Sequence, residues 1–502
     1  MTIVDDKISR RTFSLGLAGT LGLLATGCIP GPVGPPGRRG EPGDRPDPRR
    51  PEGVDLLPQI EHIVIYMQEN HSYDSYFGAF RRGDGYIVNG GVPRNSNRTA
   101  DGTVVPVFHA PDTCQLGRGV SQSWNATHAQ IDGGRMDGFL LDGNTNAMRY
   151  WDGSDVPFYW SLASTFPLCD RWFASAPAQT YPNRRFLQAA TAQDLVSTDT
   201  AKILTMPEPA GGTIWQKLNA HGISWRDYAW DLPDIALFPK VFAANRDKVR
   251  TFPQFLTDCR SGTLPSVSIV SPGVTAYTEE NPSDIQLGEA YSASVINAIM
   301  GSPAWPRTAL VFMYDEHGGY YDHVAPPAAV PPDDIAPGVA PINGVPPAWN
   351  RYGLRVPAFM ISPYARRNYV SHVVHDHTSV LRFIETKFNL GALTRRDARA
   401  SNLLDTLDFL RAPAFLEPPT LAAPGLPASG SRCTPGTPPP PTAPPVGTGV
   451  VAGARIAGLG HAAASTAALH SGGATEGPAH SDSQDERLQL LDHLIRADAQ
   501  RV

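Results

Sequence analysis

The sequence predicts a three-layer α/β/α sandwich with a mostly parallel central sheet, and two observations carry that expectation. Five short runs, residues 60–68, 224–229, 266–270, 309–314 and 356–361, are rich in β-branched or aromatic residues and apolar on both faces, as strands of a sheet covered on both sides must be. Amphipathic stretches such as residues 213–221 and 288–300 fall between them, and strands alternating with helices bury their apolar faces as a doubly wound sheet. With 502 residues, 41% hydrophobic and 18% charged, the chain can enclose one large core and still carry tails.

Composition divides the chain into four parts. In residues 1–28, Ser9-Arg10-Arg11-Thr12-Phe13 precedes an apolar stretch ending at Cys28, the pattern of a twin-arginine (Tat) export signal. That apolar stretch is short against the roughly 30 Å of a bilayer interior. Leu24-Ala25-Thr26-Gly27-Cys28 is similar to a lipobox, with Ala25 where leucine is usual, so Cys28 is either a lipid attachment point or close to an ordinary cleavage site. Residues 29–57 are a Gly/Pro-rich linker whose Gly-X-Y triplets begin at Gly31; five triplets suit an extended spacer better than a collagen helix. Residues 58–411 have the composition of a folded domain. Residues 412–502 turn to Pro, Gly and Ala and are expected not to bury enough to fold, apart from a short terminal helix capped by Ser483 and Glu486.

Charge and cysteines narrow the partners. A formal net charge of -6 with no basic stripe excludes a nucleic-acid binder, so an anionic substrate must be met locally, by a metal or by histidine. Cys114, Cys169, Cys259 and Cys433 lack the spacing of a zinc ribbon, and an exported chain can pair them, although the sequence does not choose among pairings. The expected setting is extracellular, periplasmic or a cell-surface lipoprotein, with membrane contact through a lipid anchor or through substrate.

In an open parallel sheet, ligands bind beyond the carboxyl ends of the strands. Glu69 and Asn70 follow the first apolar run directly, and Asp315, Glu316 and His317 follow residues 309–314. A solvated turn explains either motif alone. Two strands delivering acids to one edge call for a cation, because adjacent carboxylates otherwise repel and raise each other's pKa. Hard oxygen ligands favour magnesium, calcium or manganese, while His317 or His323 would admit zinc.

Thr180 lies in Gln179-Thr180-Tyr181-Pro182-Asn183-Arg184, where Pro182 favours the first turn of a helix and sets Thr180 at its positive end. It is either a cap or a nucleophile. A bound dication lowers the pKa of a ligating water from about 15.7 to about 7, and a ligating hydroxyl gains similarly. His377 precedes an amphipathic run, at a helix front where a phosphate would arrive. His128, near Trp124, is a further phosphate contact or leaving-group acid.

These segments, "IEHIVIYMQENHSYDSYFG", "GGRMDGF", "FPLCDRWFASAPAQTYPNR", "DEHGGYYDHVAPP" and "DHTSVLRFIE", resemble in this order the bacterial phosphoesterase family that contains phospholipases C and certain acid phosphatases, itself similar to the alkaline-phosphatase-like superfamily. The resemblance implies that Glu69, Asn70, Asp315 and Glu316 bind a divalent metal, that Thr180 is both nucleophile and ligand, and that His377 contacts phosphate. The substrate implied is a phosphate ester, with phospholipid among the candidates. Where the family commonly has histidines, this chain has Gln122 and Asn281, and His71 stands where arginine is usual after Glu-Asn. Amides cannot protonate a leaving alkoxide, so the expected activity is weaker, shifted to easier leaving groups, or rescued by His128 or His323. A phospholipase C-like diesterase, a broad-specificity acid phosphatase and a non-catalytic surface binding protein on the same scaffold are the three functions that follow.

Overall fold

The structure, a computed structural model, describes residues 45–115, 117–274, 276–434 and 436–443. The twin-arginine segment with Cys28, the Gly-X-Y run up to residue 44, and the terminal helix expected after Ser483 lie outside the described residues.

Eight strands form the central sheet: β1 (His62–Gln68), β2 (Leu168–Cys169), β3 (Trp225–Ala229), β4 (Val249–Thr251), β5 (Val267–Ser271), β6 (Thr308–Tyr314), β7 (Ala358–Ile361) and β8 (Val370–Ser371). Their order across the sheet is β4-β3-β5-β1-β6-β7-β2-β8. Every neighbouring pair is parallel except those made by β7, which runs antiparallel to β6 and β2. All of β6, and all of β1 except His62, is buried, which is why both read as continuous apolar runs rather than as alternating ones.

Eight helices bear on the argument: α1 (Tyr73–Phe77), α2 (Trp124–Ile131), α3 (Pro157–Thr165), α4 (Thr180–Ala189), α5 (Ile214–Ala220), α6 (Phe252–Ser261), α7 (Ile285–Met300) and α8 (Thr378–Phe388). α7 packs with α3 and α6, while α4 packs with α5 and α8, giving two helical groups. α5 starts where Thr213 and Gln216 form a reciprocal capping box, so two backbone donors that would otherwise be orphaned are satisfied. The expected α/β class with a mostly parallel sheet is borne out.

Both flanks of the domain depart from the expectation. The end of the linker docks on α8, where Asn389 Nδ2 donates to the carbonyls of Asp47, Arg50 and Pro51 at 3.0 Å each. The described part of the proline-rich tail also lies on the domain. Trp305 Nε1 donates to Phe415 O at 2.9 Å, Gly425 N to Glu289 Oε2 at 2.6 Å, and Ser431 Oγ to Asp284 Oδ2 at 2.6 Å. A disulfide joins Cys114 to Cys433 across 319 residues, leaving Cys169 and Cys259 as buried free thiols. Too apolar-poor to form a core of its own, this segment is held as a strap by a covalent bond, by polar contacts, and by Phe415 and Leu421, which are buried in a core already built.

Candidate active site

β1 and β6 are neighbours in register, with Gln68 opposite Tyr314, and Asp315 N continues the ladder by donating to Gln68 O at 3.1 Å. Glu69-Asn70 and Asp315-Glu316 therefore leave the sheet side by side at its carboxyl edge, and all four are buried. The turn that follows folds back on Asn70. Gly318, at φ +64°, comes so close to Asn70 O that a Cβ would overlap it, and only glycine takes that conformation without strain.

α4 supplies the third side. Thr180 is its first residue and is fully buried. Arg184, four residues on and thus on the same face, extends a guanidinium between the strand ends. Its Nη2 lies 2.9 Å from Glu69 Oε1, its Nε 3.2 Å from Asp315 Oδ2, and its Nη1 2.7 Å from Asp234 Oδ1. The same interaction that neutralises the acids fixes the helix carrying Thr180. Thr278 Oγ1 donates to the other Glu69 oxygen at 3.0 Å.

One guanidinium does not balance this much negative charge. Burial pushes Glu316 up to about 8, and burial also raises Asp315, against Arg184, which lowers it. A cation would relieve both. The donor set fits a hard divalent ion: Asn70 Oδ1 and Glu316 Oε1 are buried without a hydrogen-bond partner among the described residues, next to Glu69, Asp315 and the Thr180 helix. Oxygen donors of this kind suit magnesium, calcium or manganese. Among the described residues, the groups of three such side chains whose ligand atoms all lie within 4.8 Å of one another are Asp74-Asp322-His323 and His109-Asp152-Asp155, and Glu69, Asp315 and Glu316 do not form a third. Arg355 already occupies the first, with Nε 2.9 Å from Asp322 Oδ1 and Nη2 2.9 Å from Asp74 Oδ1.

The histidines divide. His377, the residue before α8, reaches the acid edge, but its Nε2–H donates to Asp315 O at 2.7 Å and its Nδ1 accepts from Trp172 Nε1 at 3.3 Å. With both nitrogens on protein groups, and burial holding its pKa down to about 4, it braces Asp315. His317 Nε2 donates to Gln130 Oε1 at 2.8 Å, and Glu316 Oε2 lies 3.1 Å from its Nδ1. His323 is drawn to a separate network, its Nδ1 2.7 Å from Asp74 and its Nε2 3.3 Å from Asp84. His128 bonds Trp124 O through Nδ1 at 2.8 Å and lies tilted against the Trp124 ring. His71 lies between the rings of Tyr76 and Tyr320, 4.5 and 4.7 Å away, an aromatic slot where burial holds the imidazole neutral.

Sequence reasoning passed over Arg184, Asp234, Thr278 and Glu280. Arg184 carried a signal, its i+4 spacing from Thr180; Thr278 and Glu280 sit in loops and Asp234 opens a single 3-10 turn, places that only the fold reveals. Gln122 Nε2 donates to Glu280 Oε1 at 3.0 Å, and the charge of Glu280 acts on Asp315, so the amide at this position does stand beside the acids.

The fold and site define an α/β protein that gathers carboxylates at the carboxyl edge of its sheet and ties to them, through Arg184, the helix that Thr180 begins. Residues 60–391 match the model of the Phosphoesterase family, and the chain belongs to that family. It is 30% identical over 430 residues to the non-hemolytic phospholipase C of Pseudomonas aeruginosa, covering 76% of this chain and 60% of that protein. It is also 30% identical to phospholipase C B of Mycobacterium tuberculosis, over 71% of this chain and 79% of that one. To non-specific phospholipase C3 of Arabidopsis thaliana it is 28% identical, over 68% and 72%. An alkaline phosphatase superfamily protein from Vibrio parahaemolyticus aligns over 74% of this chain and 73% of its own, with a TM-score of 0.35 and 10% identity, a likeness too slight to add to the architecture described above.

Proposed function

We propose that this chain is an exported, metal-dependent phosphoric ester hydrolase of the phospholipase C type, a phosphodiesterase that uses Thr180 as its nucleophile. The observation that carries the reading is the position of Arg184, which ties the Thr180 helix to both acid-bearing strand ends. Three named relatives are phospholipases C, and the Cys114–Cys433 bond supports an oxidising compartment beyond the cytoplasm.

Glu69, Asn70, Asp315, Glu316 and the Thr180 hydroxyl would hold the ion. A dication there lowers the pKa of a ligating hydroxyl and offsets charge on the phosphoryl oxygens. The chain's own groups do the rest. Arg184 pairs with Glu69 and Asp315 and spaces them, Thr278 orients the second Glu69 oxygen, and His377 fixes the Asp315 backbone. Thr180 Oγ attacks phosphorus, the P–O bond to the alcohol breaks, and water later cleaves the phosphothreonine. Gln122, with Nε2 committed to Glu280, offers no proton to the departing alkoxide.

Hydrolysis of a chromogenic phosphodiester and its monoester counterpart, with and without a chelator, tests the reading. The expected result is chelator-sensitive turnover with the diester preferred. Preference for the monoester would reassign the protein as an acid phosphatase type, and chelator-resistant turnover would remove the metal from the account.

A further inference from the structure

We propose that Glu279, a buried carboxylate outside the ligand set, is a positioning residue that fixes the two acid-bearing strand ends relative to each other; the inference rests on the metal-site reading above. Glu279 is fully buried, and its carboxylate accepts three phenolic hydroxyls. Tyr76 and Tyr314 donate to Oε2 at 2.5 and 2.7 Å, and Tyr159 donates to Oε1 at 2.5 Å.

The places these donors come from matter. Tyr314 is the last residue of β6, directly before Asp315. Tyr76 lies in α1, just after the turn that bears Glu69 and Asn70, and Tyr159 lies in α3. From the same residue, Glu279 N donates to Glu69 O at 3.1 Å, and the preceding Thr278 holds Glu69 Oε2. One side chain therefore fastens the Asp315 strand through a phenol, while its own backbone fastens Glu69.

The packing around it is shaped for this group. Gly288, within α7, lies so close that a Cβ would overlap Glu279 Cγ, so the helix approaches only because no side chain intervenes. Gln115 Nε2 donates to Glu279 O at 2.8 Å while its Oε1 accepts Tyr320 OH at 2.5 Å, which links the hub to the turn after Glu316. Core packing alone would be met at less cost by an apolar residue. A carboxylate with three donors instead gives a fixed geometry, because each phenol has one direction in which to donate.

The test is calorimetric titration of Mn²⁺ into the metal-stripped full-length protein, for wild type, Glu279→Gln, Tyr314→Phe and Gly288→Ala, with a thermal melt of each. Groups that orient metal ligands typically contribute about 10- to 100-fold to affinity, so Glu279→Gln should weaken Mn²⁺ binding by at least about tenfold. Tyr314→Phe and Gly288→Ala should weaken it by smaller factors in the same direction, and they carry the test if Glu279→Gln does not fold. Unchanged Mn²⁺ affinity with only a lowered melting temperature would overturn the inference and leave Glu279 a structural residue. A wild-type protein that binds no Mn²⁺, Mg²⁺ or Ca²⁺ would instead reject the metal-site reading itself.

Discussion

Arg184 Nη2 stands 2.9 Å from Glu69 Oε1, a contact in which both side chains are almost fully withdrawn from solvent. The same guanidinium reaches Asp234 and Asp315, so removing it strands three buried carboxylates together. Breaking a buried ion pair from one side costs about 3–5 kcal/mol. Arg184→Met should lower the unfolding free energy by about that amount and abolish turnover, as measured by chemical denaturation and ester hydrolysis. Arg184→Lys should rescue little, because a single ammonium cannot span three carboxylates.

The Cys114–Cys433 bond closes a loop of 319 residues and clamps the tail to the segment that carries Gln115 and Gln122. The chain-entropy model gives about 6 kcal/mol for so long a loop, with measured effects ranging from about 0 to 5. Cys433→Ser, or mild reduction, should lower the melting temperature by several degrees. Because Gln115 and Gln122 bond Glu279 O and Glu280 Oε1, it should also lower kcat. A reduced protein with unchanged melting and turnover would show the strap to be passive.

His323 predicts a pH dependence of stability. Burial pushes its pKa down, but Asp74 and Asp84 outweigh that and push it up to about 10. Arg355, Asp322 and Arg171 complete the charges around this network. A folded pKa above the unfolded value of about 6.5 means the stabilisation is complete below about pH 6.5 and is lost as pH rises toward about 10. Melting temperatures should therefore fall between about pH 7 and pH 10 by several degrees more in wild type than in His323→Gln. Parallel profiles would contradict the raised pKa.

Gln122 offers a gain-of-function test. A histidine there would stand beside Glu280 with a proton to donate, which the amide lacks. Gln122→His should raise kcat for alkyl leaving groups by about tenfold or more while changing good aryl leaving groups little, since general acid catalysis contributes about 10²- to 10⁴-fold where departure is difficult. Equal effects on both substrates would place this residue away from the leaving oxygen.

Much of this arrangement was legible in the chain, and the exceptions have physical causes. The runs at 309–314 and 224–229 were readable as β6 and β3 because buried parallel strands need no alternation. β2, β4 and β8 are two or three residues long, too short to show a period. The antiparallel direction of β7 leaves no local mark, since direction is set by the connection and not by the strand. Glu69, Asn70, Asp315 and Glu316 could be placed at one edge because they follow long apolar runs. Asp234, Thr278 and Glu279 could not, because they enter through a short 3-10 turn and a loop. His323 and His377 looked alike as histidines near the motifs; only contacts distinguish the one paired with Asp74 and Asp84 from the one bonded to Asp315 O. The tail misled because its composition cannot build a core, whereas adherence to an existing one needs only a disulfide, a few hydrogen bonds and a few buried side chains such as Phe415 and Leu421.

The central claim, that Thr180 attacks phosphorus at a metal held by the strand-end acids, is tested most directly by the rate of phosphodiester hydrolysis in wild type and Thr180→Ala at saturating Mn²⁺, with Mn²⁺ binding measured on both. The account predicts a loss of at least about a thousandfold in kcat in a protein that still folds and still binds the ion. Comparable turnover in the two proteins would contradict it.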